Sequence, residues 1–292
     1  MQAVKTSKSS ANINKLFSKR KGELKIMACR SAYKRQTNNI ERVENKTQPA
    51  PKSNPVERLL FGADSSFRAD TLLQNNIDHF EWIVRNKIYP NFTGRKIVGE
   101  NALTKQEINF IHSKGCKIAP IYSDNTPKNS EEAGAVLAKK INLVAFELGI
   151  PRGTAIFLEI SESEELTRGF LKGFAASLLE EGYTPAFRAN TDARYIFDRQ
   201  FCRGMMTDRD IFEKCIIWAV SPTVREYDGM TTSHLIHPDR WKPFAPSCIK
   251  RKDIAIWQYG KNCHAIDDDN GEETTFNLDL VINAQIIVEK MF

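Results

Sequence analysis

Carboxylates recur at one kind of place in this 292-residue chain: beside the ends of short apolar runs. LLFGAD ends in Asp64, RKIVGE in Glu100 and AIFLEI has Glu159 as its next-to-last residue, while FNLDLV carries Asp279. A carboxylate after a buried strand is costly unless it reaches solvent or a partner. In a parallel α/β fold that position is the carboxyl edge of the sheet, where active sites are built. Similar runs bring Tyr122, Arg188, Asn190, Gln258 and Tyr259 to the same edge. Carboxylates grouped with amides, an arginine and aromatics suit sugar binding and glycosidic hydrolysis, which uses one carboxyl as acid and another as nucleophile or base. Trp218 and Trp257, near strand ends, are placed to stack on sugar faces. The competing reading is structural, since any eight-stranded barrel sets several polar residues at strand ends by chance.

The elements that must position these groups follow from periodicity. LLFGAD, RKIVGE, KIAPIY, AIFLEI, TPAFRAN, CIIWAV, IAIWQY and FNLDLV read as eight strands. Between them, helical stripes run over residues 71–86, 104–114, 130–148 and 164–180, with a further helix over 192–201. Thr104 and Glu107 form a capping box, T-K-Q-E, and Gly115 and Gly182 are stop signals. Pro185 sits awkwardly inside its strand. Eight strands alternating with helices over residues 59–292 predict a single (β/α)8 TIM-type barrel in the α/β class, with an open doubly wound sheet as the alternative.

Charge separates the chain into two parts. Residues 1–58 hold 14 Lys and Arg against 4 Glu, a net +10, whereas the remainder carries −4. NKTQPAPKSNP, with three prolines and no apolar cluster, reads as a linker. The arm is expected to be a disordered basic extension, with a short helix possible over residues 13–27. Its sharper role is electrostatic contact with an anionic polymer. Lys outnumbering Arg argues against a mitochondrial presequence. No apolar run approaches the roughly 18 residues of a membrane span, and the first residues lack a secretory pattern. A cytoplasmic protein is expected, with release by lysis or non-classical export as the route to an outside polymer. The six cysteines show no CxxC and no disulfide spacing, which favours a reducing compartment. Cys116 and Cys215 read as small buried hydrophobes.

Other motifs carry little. His234 and His237 lie three apart in a long loop without a nearby third ligand, and Asp267 to Glu273 departs from a calcium loop at its first position. G-x-x-x-x-G-K-[ST], G-x-G-x-x-G and G-x-S-x-G are absent. No cofactor and no metal are expected.

Read together, FGADSS, LTKQEINFIHSKGCKIAPIY, LGIPRGTAIFLEIS, EGYTPAFRAN, IIWAVSP, IAIWQYG and FNLDLVIN resemble the glycoside-hydrolase-like domain of bacterial proteins of largely unknown function. That family is itself similar to lysozyme-type muramidases. The resemblance implies catalytic roles for Asp64, for Glu159 as first acid of a D-x-E pair, and for Asp279 in a D-x-N motif. Glu100, Tyr122, Arg188, Asn190, Trp218, Trp257, Gln258 and Tyr259 would then bind a polysaccharide or peptidoglycan fragment. Two positions depart from the pattern. The proton donor falls on Ser161, whose hydroxyl cannot serve as general acid near neutral pH, and the motif's asparagine falls on Val281. Glu162, one residue on, would point elsewhere, leaving Glu159 to take over as acid. The implied function is a polysaccharide-directed glycosidase, weak or lost, with a non-catalytic glycan-binding barrel as alternative. A structural, phage-associated protein acting through its arm is a third reading.

Overall fold

The computed structural model describes residues 59–292 apart from 74–75, 86–87, 163–164, 226–240 and 267–272. The basic arm, the His234–His237 loop and nearly all of the acidic turn lie outside the described residues.

Eight strands close into a barrel in chain order: β1 (Leu60–Asp64), β2 (Phe92–Lys96), β3 (Lys117–Tyr122), β4 (Ala155–Ile160), β5 (Thr184–Ala189), β6 (Ile216–Arg225), β7 (Ile256–Ile266) and β8 (Glu273–Val281). Helices α1 (His79–Arg85), α2 (Lys105–Ser113), α3 (Glu131–Leu148), α4 (Arg168–Glu180), α5 (Ile196–Thr207) and the single-turn α6 (Arg209–Phe212) alternate with the strands, and α7 (Ala284–Lys290) follows β8. The α/β barrel expected from the strand count is therefore present. Its strands are not all parallel, however. β1 to β7 are parallel neighbours, while β8 runs antiparallel to both β7 and β1. β8 begins only seven residues after the end of β7 and runs back alongside it in the opposite direction.

Local chemistry explains most boundaries. Thr104, Ser130 and Thr167 accept hydrogen bonds from backbone N–H groups of the first turns of α2, α3 and α4. α4 starts at Arg168 rather than at 164 because its cap is Thr167. α3 and α4 touch backbone to backbone: a Cβ on Gly173 would lie 1.9 Å from the Glu131 carbonyl oxygen. Only glycine permits that crossing.

Strand alternation sorts every side chain. Phe92, Ala119, Ile121, Ala155, Phe157, Ala186, Trp218, Ile256 and Val281 point inward and fill the barrel. Trp218 stands edge-on to both Phe92 and Phe157, with ring centroids 6.1 and 5.1 Å away. Each fully buried Phe is worth roughly 1.5–3 kcal/mol over an exposed one. Ile287 and Met291, after β8, join this cluster, and Phe292 exchanges backbone hydrogen bonds with Ile118. The lower end of the barrel is thereby closed, and the polar residues occupy the layer above Trp218.

Cys202 on α5 and Cys248 form a disulfide across 46 residues, with Cα atoms 5.4 Å apart. This corrects the expectation of six unpaired cysteines. Spacing along the chain held no trace of the pair, because tertiary packing alone brings them together. Asp198, one turn before Cys202, also accepts hydrogen bonds from the Ser247 backbone N–H and hydroxyl at 2.5 and 2.9 Å. Cys116 is buried and Cys215 partly so, and burial pushes both thiols up.

Candidate functional site

Arg188 is the centre of the polar layer. It points inward from β5, two residues after inward-facing Ala186, and is 7% exposed. Its guanidinium donates to Glu159 on β4, to both oxygens of Asp64 on β1 at 3.2 Å, and to Gln258 Oε1 on β7 at 2.5 Å. Register sets this up, since Glu159 lies directly opposite Arg188 in the β4–β5 ladder. Lys96, the last residue of β2, completes the cluster with its Nζ 3.2 Å from Glu159 Oε2.

Asp64 also accepts from Asn277 Nδ2 at 2.8 Å, its direct partner in the β1–β8 ladder. Two residues further along antiparallel β8, and therefore deeper, lies Asp279. It is fully buried and accepts the Trp218 indole N–H at 2.9 Å. Burial opposes the charge of Arg188, but the Asp64 and Glu159 carboxylates outweigh it. Burial alone would raise the Glu159 carboxyl, but Arg188 and Lys96 hold it below the usual carboxylate range. Asp279 goes the other way: burial and then the charge of Asp64 push it well above the ordinary value, against the pull of Arg188 and Trp218.

Above this layer opens a cavity of about 170 Å³, lined by Asp64, Ser65, Ser66, Gly94, Lys96, Ile121, Glu159, Arg188, Asn262, Thr275, Phe276 and Asn277. Gly94 forms part of its floor, where a Cβ would fall 2.7 Å from both Asp64 Cβ and the Trp218 ring. The β1 wall is braced from behind. Arg95, outward on β2, donates at 2.7 Å to the Ser65 carbonyl and to Glu107 Oε1, and Glu107 accepts the Ala69 N–H at 2.8 Å. Glu107 is thus spent on this brace rather than on the reciprocal half of a capping box. Ser65 Oγ ties the same wall to the Thr275 carbonyl at 2.7 Å.

The structure brings together Asp64, Glu159, Arg188, Gln258 and Asp279 from the residues singled out in the sequence. It separates the others. Tyr122, Trp257 and Tyr259 have outward parity and are buried in the outer shells. Trp218 points inward but is sealed beneath the polar layer. None of these four lines the cavity, whose aromatic lining residue is Phe276. Glu100 is exposed in the turn beyond β2, because that strand spans 92–96 and not 95–100. Asn190 donates to Glu162 at 2.6 Å outside the cavity. Ser161 is exposed past the end of β4.

Sequence reasoning missed Gly94, Lys96 and Asn277. Starting β2 at Phe92 would have found the first two. Reading β8 backwards would have found the third: in an antiparallel strand N277-L-D279 places its amide at the mouth, while Val281 lies at the far end opposite Leu60. Among the described residues no group of three or more His, Cys, Asp or Glu is arranged to hold a metal ion.

A closed α/β barrel with a carboxylate-bearing mouth is the class that fold and site define. Residues 88–279 match the description of the Rv2525c-like, glycoside hydrolase-like domain, and the chain belongs to that family. Among solved structures, an uncharacterized B. stearothermophilus protein is similar over 80% of this chain and 100% of its own, with 23% identity and a TM-score of 0.64. The bacterial lysozyme from Streptomyces coelicolor is 10% identical over 78% of this chain and 95% of its own, with a TM-score of 0.47. The autolysin LytC from Streptococcus pneumoniae, solved with a synthetic peptidoglycan ligand, is 10% identical over 76% of this chain and 46% of its own, at 0.42. The first likeness supports the fold; the other two are similarities of outline. No curated protein matches the sequence.

Proposed function

We propose that this glycoside hydrolase-like barrel binds a glycan end or side group at its mouth without cleaving the glycosidic bond. The observation that carries the reading is the Arg188 clamp. Glycosidic hydrolysis needs a protonated carboxyl facing the leaving oxygen and a second carboxyl free to act as nucleophile or base. Here Glu159 and Asp64 share one guanidinium, which occupies the ground between them. Glu159 is held as a carboxylate by Arg188 and Lys96, the opposite of what a general acid requires. The residue where the donor would stand is Ser161.

What remains suits recognition. Lys96, Asn262, Asn277, Ser66 and Thr275 offer donors and acceptors to hydroxyl and amide groups around a polar cavity. At about 170 Å³ it is smaller than the roughly 300–1,000 Å³ of drug-sized ligand sites, which favours one sugar ring over a long chain. The ligand class we assign is a cell-wall type polysaccharide or a peptidoglycan fragment. The basic arm adds non-specific attraction to an anionic polymer. Calorimetric titration with muropeptides and chitooligosaccharides, run beside an assay for new reducing ends, tests this. Saturable heat with no new reducing ends is expected. Reducing ends that accumulate with wild type and vanish with Glu159→Gln would replace binding by hydrolysis. No heat and no cleavage across both glycan sets would remove the glycan reading.

A further inference from the structure

We propose that Asp279 is a neutral carboxylic acid in the folded protein, a positioning residue whose proton is donated to Asp64 and holds Asp64 in the grip of Arg188. Asp279 has no exposed surface. Its Oδ1 accepts from Trp218, while Oδ2 is buried with no hydrogen-bond donor. A buried carboxylate oxygen without a donor is costly, whereas a protonated one becomes a donor itself.

The groups facing Asp279 leave one arrangement. From β1 comes Asp64, two residues beyond Gly62, the direct ladder partner of Asp279. From β5 comes Arg188, already directed at Asp64, Glu159 and Gln258. From β6 comes the neutral indole of Trp218. From β7 come Gln258, the direct ladder partner of Asp279, whose Oε1 accepts from Arg188, and Tyr259 and Cys263, which burial keeps neutral, so no cation is supplied from that side. Three carboxyls thus meet the two cations Arg188 and Lys96, and the balance closes when the deepest acid is uncharged. Two carboxyls in contact cannot readily both ionise. The proton sits on Oδ2, which then donates to Asp64, so that Asp64 accepts from Arg188, Asn277 and Asp279 together. With its carboxylate held from three sides, Asp64 is fixed as a rigid part of the cavity floor.

Infrared spectroscopy of the full-length protein at pH 7, with aspartate carboxyl groups isotopically labelled, reads the proton directly. Wild type is expected to show a protonated-carboxyl C=O band that shifts with the label and is lost in Asp279→Asn. Asparagine reproduces the neutral acid, accepting from Trp218 and donating to Asp64, so that variant is expected to fold. Its unfolding equilibrium constant relative to wild type should fall about tenfold per pH unit between the unfolded aspartate value and the folded one, because wild type alone must keep a proton there. Asp279→Ala has no titrating proton either and should share that slope, but without a donor to Asp64 its unfolding constant should lie above that of Asp279→Asn at every pH. A wild-type spectrum without the band overturns the proposal, and so does an unfolding constant for Asp279→Asn no lower than that for Asp279→Ala. If the asparagine variant does not fold, the wild-type band decides. No glycan enters these measurements, so their outcome is independent of the binding reading.

Discussion

Removing the Arg188 side chain would leave Asp64 and Glu159 facing one another at the floor of the cavity without their shared cation. Breaking a buried ion pair in this way costs about 3–5 kcal/mol, so Arg188→Ala should lower stability by that order in chemical denaturation. Arg188→Lys should recover only part, because an ammonium cannot reach both carboxylates and Gln258 with a planar fork. The pH dependence has a definite sign. Glu159 is depressed in the folded state, so its contribution is present above the unfolded glutamate value of about 4.3 and is lost as pH falls through the folded value. Glu159→Gln should therefore flatten the acid limb of a stability–pH curve; an unchanged limb would mean that Arg188 and Lys96 do not hold the carboxylate. Gly94 tests the cavity itself. Gly94→Val places carbon where Asp64 and Trp218 already leave only 2.7 Å to a Cβ. Titration with the glycan that wild type binds should show at least a tenfold loss of affinity.

Among the elements, the segment leading into β7 is held to α5 by covalent and polar ties at one place. Closing a loop of 46 residues corresponds to about 4 kcal/mol in the chain-entropy picture. Denaturation with and without a thiol reductant, and with Cys202→Ser, should show a loss of that order. Equal midpoints would mean that the pair does not cross-link the protein in solution. The strands show which features were legible in the sequence. Seven of the eight apolar runs fall on their strands, because a buried strand needs a short apolar run wherever it lies. RKIVGE slipped because FTGRK, with glycine and two cations, hides a strand whose inward faces serve the cavity. The same parity that places Asp64, Glu159 and Arg188 inside sends Tyr122, Trp257 and Tyr259 outside. Strand direction had no local signal at all: the reversal of β8 is fixed by its pairing with β7 and β1, and it moves the mouth from Val281 to Asn277.

For the whole molecule, charge and fold belong to different parts of the chain. Residues 1–58 carry +10 and the rest −4. Deleting residues 1–58 should abolish salt-sensitive retention on an anionic polymer while leaving glycan titration at the cavity unchanged. Retention that survives the deletion would assign the electrostatic contact to the barrel. The chain belongs to the glycoside hydrolase-like family, and at its mouth Asp64 and Glu159 are both held by Arg188. The disulfide makes the redox state of the purified chain a direct check on the Cys202–Cys248 pairing.

Whether Arg188 holds Glu159 as a carboxylate can be read from a carbon-13 NMR titration of the Glu159 carboxyl. The expected titration lies below the ordinary glutamate range in wild type and moves upward in Arg188→Met. A Glu159 that titrates near neutral pH in wild type, unchanged by that substitution, would restore a general acid to the site and contradict the clamp.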